Sequence, residues 1–353
     1  MYIIYINLMK KILPIFTASI FALSASALTV EETTTFEGTA SYDSKLTINS
    51  KVVYTIGNGT DKSSVSVTYG TSPLSNSGQI VVSENSELSL TTTNGGDWSS
   101  AGTSGNIDVY GKLLISNTST KSPFLPTISS GKTLNVYSGG TIEVSGVNQG
   151  GMDVNNGTLH LHNGSNVNIS SGSIFIRGSN GTSKLIVDDG VNFTRKMKIT
   201  LGSASISELD FSDAKTITLD NFTFKDRCIS TIILPKTELI ILGMGNQGTF
   251  TGVEELILKD FRNDTIKINS SVFSLTEDSN GITQCFKINK SGNIKLTAYD
   301  SNGNKINLNQ GDYWELTNDK YLNIVRVSVP EPAEWAMILG SLALGLAIYR
   351  RRK

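Results

Sequence analysis

Most of this chain is built from one small pattern. From about Thr33 to Phe261 a short run alternates apolar and polar residues, a Gly, Asn, Ser or Asp turn follows, and another run begins. Ile80-Val-Val-Ser-Glu84, Leu88-Ser-Leu90, Ile107-Asp-Val-Tyr110, Leu134-Asn-Val136, Ile142-Glu-Val144, Leu159-His-Leu161, Val167-Asn-Ile169, Ile174-Phe-Ile176, Ile199-Thr-Leu201 and Ile217-Thr-Leu219 are examples. Apolar residues two apart turn one face of each strand to a core and the other to water. Asn-Gly pairs begin at Asn58, Asn94, Asn156, Asn163, Asn180, Asn280 and Asn302. Such pairs tolerate positive φ and mark tight turns. Outside the two termini no long stretch carries a helical period.

The pattern also repeats loosely. Gly140-Thr-Ile-Glu-Val144 matches Gly157-Thr-Leu-His-Leu161, with variants at Gly131-Lys-Thr-Leu-Asn-Val136 and Gly172-Ser-Ile-Phe-Ile176. Dense short strands with irregular turns fit a parallel β-solenoid, where each coil buries its inward residues against its neighbours. The expected fold is therefore all-β, with a solenoid body over 28–262. In texture the body resembles the right-handed β-helix of pectin-lyase-like proteins and autotransporter passengers. The same alternation also allows antiparallel β-sandwich domains. Residues 263–328 are richer in charge and have longer strands, such as Ile282–Ile288, Ile294–Ala298 and Tyr321–Val327. They read as a β-cap that blunts the open solenoid end, with a hairpin across Asn302-Gly303.

Both ends carry segments of a different kind. Residues 329–353 read Val329-Pro330-Glu331-Pro332, then an uncharged apolar run from Ala336 to Tyr349, then Arg350-Arg351-Arg352-Lys353. Proline holds the first element extended. The apolar run predicts a transmembrane helix over about 333–349, with Trp335 and Tyr349 as interfacial aromatics and the Arg cluster on the cytoplasmic side. Order and spacing resemble the PEP-CTERM sorting signal of Gram-negative bacteria. That resemblance implies recognition by a membrane-embedded exosortase, cleavage near Pro330 to Pro332, and passage to the cell surface or an extracellular polymer matrix. At the other end Lys10-Lys11 precede an apolar stretch, and Ala25-Ser26-Ala27 supplies a small-x-small site. Residues 1–27 thus read as a secretory signal peptide handled by the translocon and cut after Ala27. Met9 is the more ordinary start.

Chemistry is sparse. Net charge is -1, so no basic excess points to nucleic acid. Cys228 and Cys285 form a candidate disulfide in an oxidising compartment. His160 and His162 share one strand face, but no nearby carboxylate or cysteine suggests itself as a third metal ligand, so they read as a solvated face and no metal or cofactor is expected. Asp188-Asp189-Gly190, and Asp210 with Asp213, read as turns rather than paired acid and base, since the other elements of polygalacturonase-type sites are missing. A chain ending in one helix does not end in an autotransporter barrel. The expectation is a non-enzymatic structural or adhesive surface protein, with extracellular polysaccharide a candidate partner. The alternative is a carbohydrate-active β-helix enzyme, which a cleft lined by carboxylates or a Lys/Arg base would favour.

Overall fold

A computed structural model describes residues 28–351, apart from 71, 95, 98–104, 121–123, 147–150, 171, 179–180, 203, 248–249, 251–253, 279–280, 290–291, 310 and 328–331. The signal segment, with Ala25 and Ala27, and the motif residues Val329, Pro330 and Glu331, together with Arg352, lie outside the described residues. Each alternating run forms a strand, and each strand pairs in parallel with the equivalent strand one coil later. The result is a parallel β-solenoid of about 8 turns with a small C-terminal antiparallel pair and one C-terminal helix.

The longest sheet runs from Thr34–Phe36 through Ile294–Ala298 and ends in the antiparallel strands Thr283–Ile288 and Phe273–Glu277. Its inward positions stack in register as Tyr54, Ile80, Ile107, Leu134, Leu159, Leu185, Leu209, Ile232, Leu258 and Ala298. All ten are buried. A second sheet stacks Val65, Leu88, Leu113, Ile142, Val167 and Phe193. A third stacks Met152, Ile174, Ile199, Phe222 and Met244. Each fully buried aliphatic side chain contributes roughly 1.5–3 kcal/mol relative to exposure. The inward stacks are therefore the main source of stability.

Close coil contact constrains the corners. Gly151 has φ +111, and a Cβ there would strike the backbone of Ser173 on the next coil. One polar group is taken inside and fully compensated. The wholly buried Asp153 carboxylate accepts two bonds of 2.8 Å from Arg177 Nε and Nη2, and a third of 3.1 Å from Thr127 Oγ1. A fork of this kind satisfies a buried carboxylate that would otherwise be costly.

The cross-section changes partway along. The second sheet ends at Asn192–Phe193, while the other two continue. Beyond it, strand Ile206–Asp210 turns directly into the ten-residue strand Thr216–Lys225. The first half of that strand pairs with Glu238–Ile241 and the second half with Met244–Gln247, so one continuous strand runs where two separate strands ran before.

Two expectations need correction. Cys228 and Cys285 are both free and buried. The register runs from Ile229 to Glu255, then Lys295, then Cys285. Three strand spacings separate the two thiols by about 14 Å, and a disulfide needs Cα atoms within about 7 Å. Burial pushes the Cys228 thiol up to about 12. The tail does form a helix, Pro332–Arg351. Among the described residues, however, no helix is long and apolar enough to cross a membrane. The apolar stretch Ala336 to Tyr349 rises only about 21 Å at 1.5 Å per residue, short of a hydrocarbon core of roughly 30 Å. Its large apolar side chains from Met337 to Tyr349 are nonetheless 47–69% exposed.

Before the tail, the pair Tyr313–Leu316 and Leu322–Val325 closes the solenoid end, with Trp314 packed edge-on against Phe261 at 4.9 Å. The predicted Asn302-Gly303 hairpin is present as one antiparallel bridge between Tyr299 and Lys305. Asp312 ties the end of the last strand to the preceding turn. It accepts from the Asn309 amide at 2.9 Å, from Arg326 Nη1, and from the Val327 amide at 3.0 Å. The Asn309 bond first, and Arg326 next, hold its carboxyl below the ordinary value. A depressed folded pKa gives stability that is present above the unfolded value near 3.9 and lost as pH falls through the folded value. Asp312→Asn should therefore be less stable than the parent at pH 6, with the difference vanishing in strong acid. Urea titrations of both proteins from pH 6 to pH 2 measure this.

Candidate functional site

The outward face of the longest sheet carries polar ladders in the same register as the inward aliphatic ones. Asp108, Asn135 and His160 occupy one row. Two residues further along the strands, Tyr110, Tyr137, His162 and Asp188 form a second row. Their amides donate to the carbonyls of Val82, Val109, Val136 and Leu161 on the preceding coils. Parallel stacking thus brings side chains from well-separated parts of the chain to one place, which local pattern alone does not reveal.

The second row is tightly organised. Tyr110 and Tyr137 stack at 4.3 Å with planes 2° apart. Tyr137 and His162 stack at 4.5 Å and 5°. His160 and His162 lie 3.7 Å apart with a 32° tilt. The Tyr110, Tyr137 and His162 rings face one another along the solenoid axis, with His160 beside His162 on its own coil, so most ring faces are already used within the ladder. Below the rings, Asp108 accepts from Gln79 Nε2 at 2.6 Å, from Asn135 Nδ2 at 2.7 Å and from the Tyr137 hydroxyl at 3.5 Å.

At the end of the row sits Asp188. Its Oδ1 is 3.0 Å from His160 Nε2, and its Oδ2 is 3.4 Å from His162 Nδ1. One donor atom from each of the three residues lies within 4.8 Å of the other two, and all three side chains are partly exposed. His162 Nε2 is buried without a hydrogen-bond partner. Burial first, and then the neighbouring His160, hold the His162 imidazole below its ordinary value, against the opposing pull of Asp188. The expectation that no carboxylate neighbours the histidine pair is thus overturned: Asp188 arrives from the adjacent coil. Its neighbour Asp189 points elsewhere and accepts from the Lys215 amide at 3.1 Å. The two aspartates do not converge as an acid and base. Asp210 accepts from Ser212 N and Oγ, as a turn residue would, and Asp213 pairs with Lys236 at 3.6 Å.

A second feature follows from the step in cross-section. Where the second sheet ends, a groove of about 410 Å³ opens, lined among others by Phe193, Arg195, Lys196, Lys198 and Asp220. Lys198 pairs with Asp220 at 3.5 Å. Arg195 donates to the Ser170 carbonyl. Lys196 has no carboxylate within ion-pairing distance among the described residues. Composition gave no hint of this groove, since the net charge is near zero.

In the tail, Trp335 falls within the helix, Tyr349 is exposed, and Arg350 and Arg351 occupy the last turn. Pro332 is the first helical residue, a position proline tolerates because its missing amide proton would be unpaired there anyway. No family model, curated protein or solved structure matches this chain.

The Tyr137 phenol supplies a test of the ladder. Burial first, then the Asp108 charge and Tyr110, push it up to about 12 from 10.0. A raised folded pKa gives stability that is present below the unfolded value and lost as pH rises toward the folded one. Between about pH 10 and 12 the parent should lose stability more steeply than Tyr137→Phe. Chemical denaturation series across that range compare the slopes, and parallel slopes would show that Tyr137 titrates as a free phenol.

Proposed function

We propose that this chain is an exported structural or adhesive protein of the surface or extracellular matrix of a Gram-negative bacterium. The observation that carries the reading is the solenoid itself: a rod with aliphatic stacks inside and repeated polar rows outside. Thr91 and Ser116 meet at 2.9 Å across coils, and Lys184 meets Glu208 at 2.8 Å. Such rows present a hydrated, periodic face suited to contact with polymers. Stacked parallel strands extend the longest sheet by roughly 50 Å at 4.8 Å each.

The two termini supply the route. The Lys10-Lys11 and Ala25-Ser26-Ala27 segment would direct the chain to the translocon. The Pro330-Glu331-Pro332 element, the exposed apolar helix and the Arg cluster would serve as the sorting signal. The helix would contact lipid briefly, at an inner-membrane intermediate, and the processing enzyme would then release the body. Intact mass of the protein recovered from envelope and medium of its host tests this. Ends near Leu28 and Pro330 are expected. A chain that keeps Arg350 to Lys353, found only in membranes, would remove the sorting reading.

One observation favours a second reading, a carbohydrate-active enzyme or binding protein for acidic polysaccharide. The groove beside Lys196 gathers three cationic side chains and one carboxylate, and lysine is among the side chains that serve as general bases. On this reading the protein should be retarded in gels containing alginate or polygalacturonate, and Arg195→Ala with Lys196→Ala should abolish the retardation. Appearance of ultraviolet-absorbing unsaturated chain ends would make it a lyase. Equal mobility of parent and variant would remove the groove from consideration.

A further inference from the structure

We propose that His160, His162 and Asp188 bind one borderline divalent transition-metal ion, of the zinc class, on the outer face of the solenoid. The site would join two successive coils. His160 lies on strand Thr158–Leu161, with His162 just beyond it, and Asp188 follows the paired strand Thr182–Val187.

Four observations support the assignment. The donor set is right: two imidazoles and one carboxylate suit zinc and its neighbours, while calcium and magnesium prefer all-oxygen shells. The spacing is right: metal–ligand bonds of about 2.0–2.1 Å in a tetrahedron place donors about 3.3 Å apart. One donor atom from each residue lies within 4.8 Å of the others, and the two His–Asp separations of 3.0 and 3.4 Å, made to the two different carboxylate oxygens, are close to that edge. The backbone is fixed, because the His162 amide donates to Val136 O at 2.9 Å and the Asp188 amide to Leu161 O at 3.0 Å. Finally, the Tyr137 ring packs flat against His162 and limits its rotation.

Three protein ligands leave a fourth position for water or an outside group. All three side chains are partly exposed, so an ion can reach them from solvent. Closing on the ion requires the two imidazoles to splay beyond their 32° tilt, since each nitrogen lone pair lies in its ring plane. Tyr137 holds the His162 ring, so the movement falls on the partly exposed His160. The bland alternative is a surface hydrogen-bond pair between histidine and aspartate, which would bind no ion tightly.

The experiment is calorimetric titration of zinc chloride into the chelator-stripped full chain in detergent, with calcium chloride as the comparison. One zinc per chain is expected, unaffected by excess calcium. His160→Gln and Asp188→Asn should each weaken binding by at least about tenfold, the scale of losing a group that supports a metal. Lys184→Gln, on the same sheet but outside the ligand set, should bind as the parent does. Far-UV circular dichroism establishes that each variant keeps its strands. Should a variant fail to fold, the parent carries the test alone: zinc should raise its Tm, EDTA should reverse the rise, and calcium should not reproduce it. No saturable zinc binding, or equal binding in parent and both ligand variants, would overturn the proposal.

Discussion

Everything in this structure depends on parallel, in-register stacking of one coil on the next. The inward row from Tyr54 to Ala298 is one consequence, since a buried aliphatic side chain must meet another above and below it. The outward rows are the other. A parallel strand pair has fixed register, so an ordered interior imposes an ordered exterior. Tyr110, Tyr137 and His162 stack outside for the same reason that Leu134, Leu159 and Leu185 stack inside.

The same dependence explains the ends and the step. Stacked strands leave unpaired edges, which invite addition of further strands. At the C-terminal end the chain turns antiparallel through Phe273–Glu277 and Thr283–Ile288, and Trp314 packs on Phe261. At the N-terminal end the edge strands Leu28–Val30 and Thr34–Phe36 are short. Midway, loss of the second sheet after Phe193 breaks the regular cross-section. The basic groove lies at that break, where inward apolar positions such as Phe193 and Met197 come close to Arg195 and Lys196.

How much of this was readable beforehand depended on range. The short runs around Leu134, Ile142, Leu159, Val167, Ile174 and Ile199 are strands with their alternate apolar residues buried, or partly buried at Ile169, as the period of two required. That period does not say which strand pairs with which, so solenoid and antiparallel sandwich stood side by side. Asn-Gly shows the same ambiguity. At Asn302-Gly303 it makes a hairpin turn, with Gly303 at φ +78. At Asn156-Gly157 it turns a solenoid corner: Asn156 takes the positive φ, and Gly157 is small because the Ser129 carbonyl lies against it. The tail's order of elements was visible in sequence. Its shortfall as a spanning segment lay in length, a count of apolar rise against bilayer thickness. The candidate disulfide failed because two intervening strands separate Cys228 from Cys285, a distance set by pairing alone.

The His160, His162 and Asp188 cluster shows the limit most clearly. Nothing near the histidines in sequence hints at a carboxylate, because Asp188 reaches them only through a coil of roughly 25 residues. Coil length is thus a chemical variable in this fold. Side chains alternate with a period of two, so a one-residue change that shifted the register of Thr182–Val187 would turn its outward residues inward. Asp188 would leave the histidines, and Leu185 and Val187 would leave the core in the same movement. The outward cluster is therefore protected by the inward stack: a shift large enough to dissolve the site would first expose buried aliphatic surface. That coupling makes a parallel solenoid a rigid support for side chains brought together from separate coils, with no need for a deep pocket to hold them.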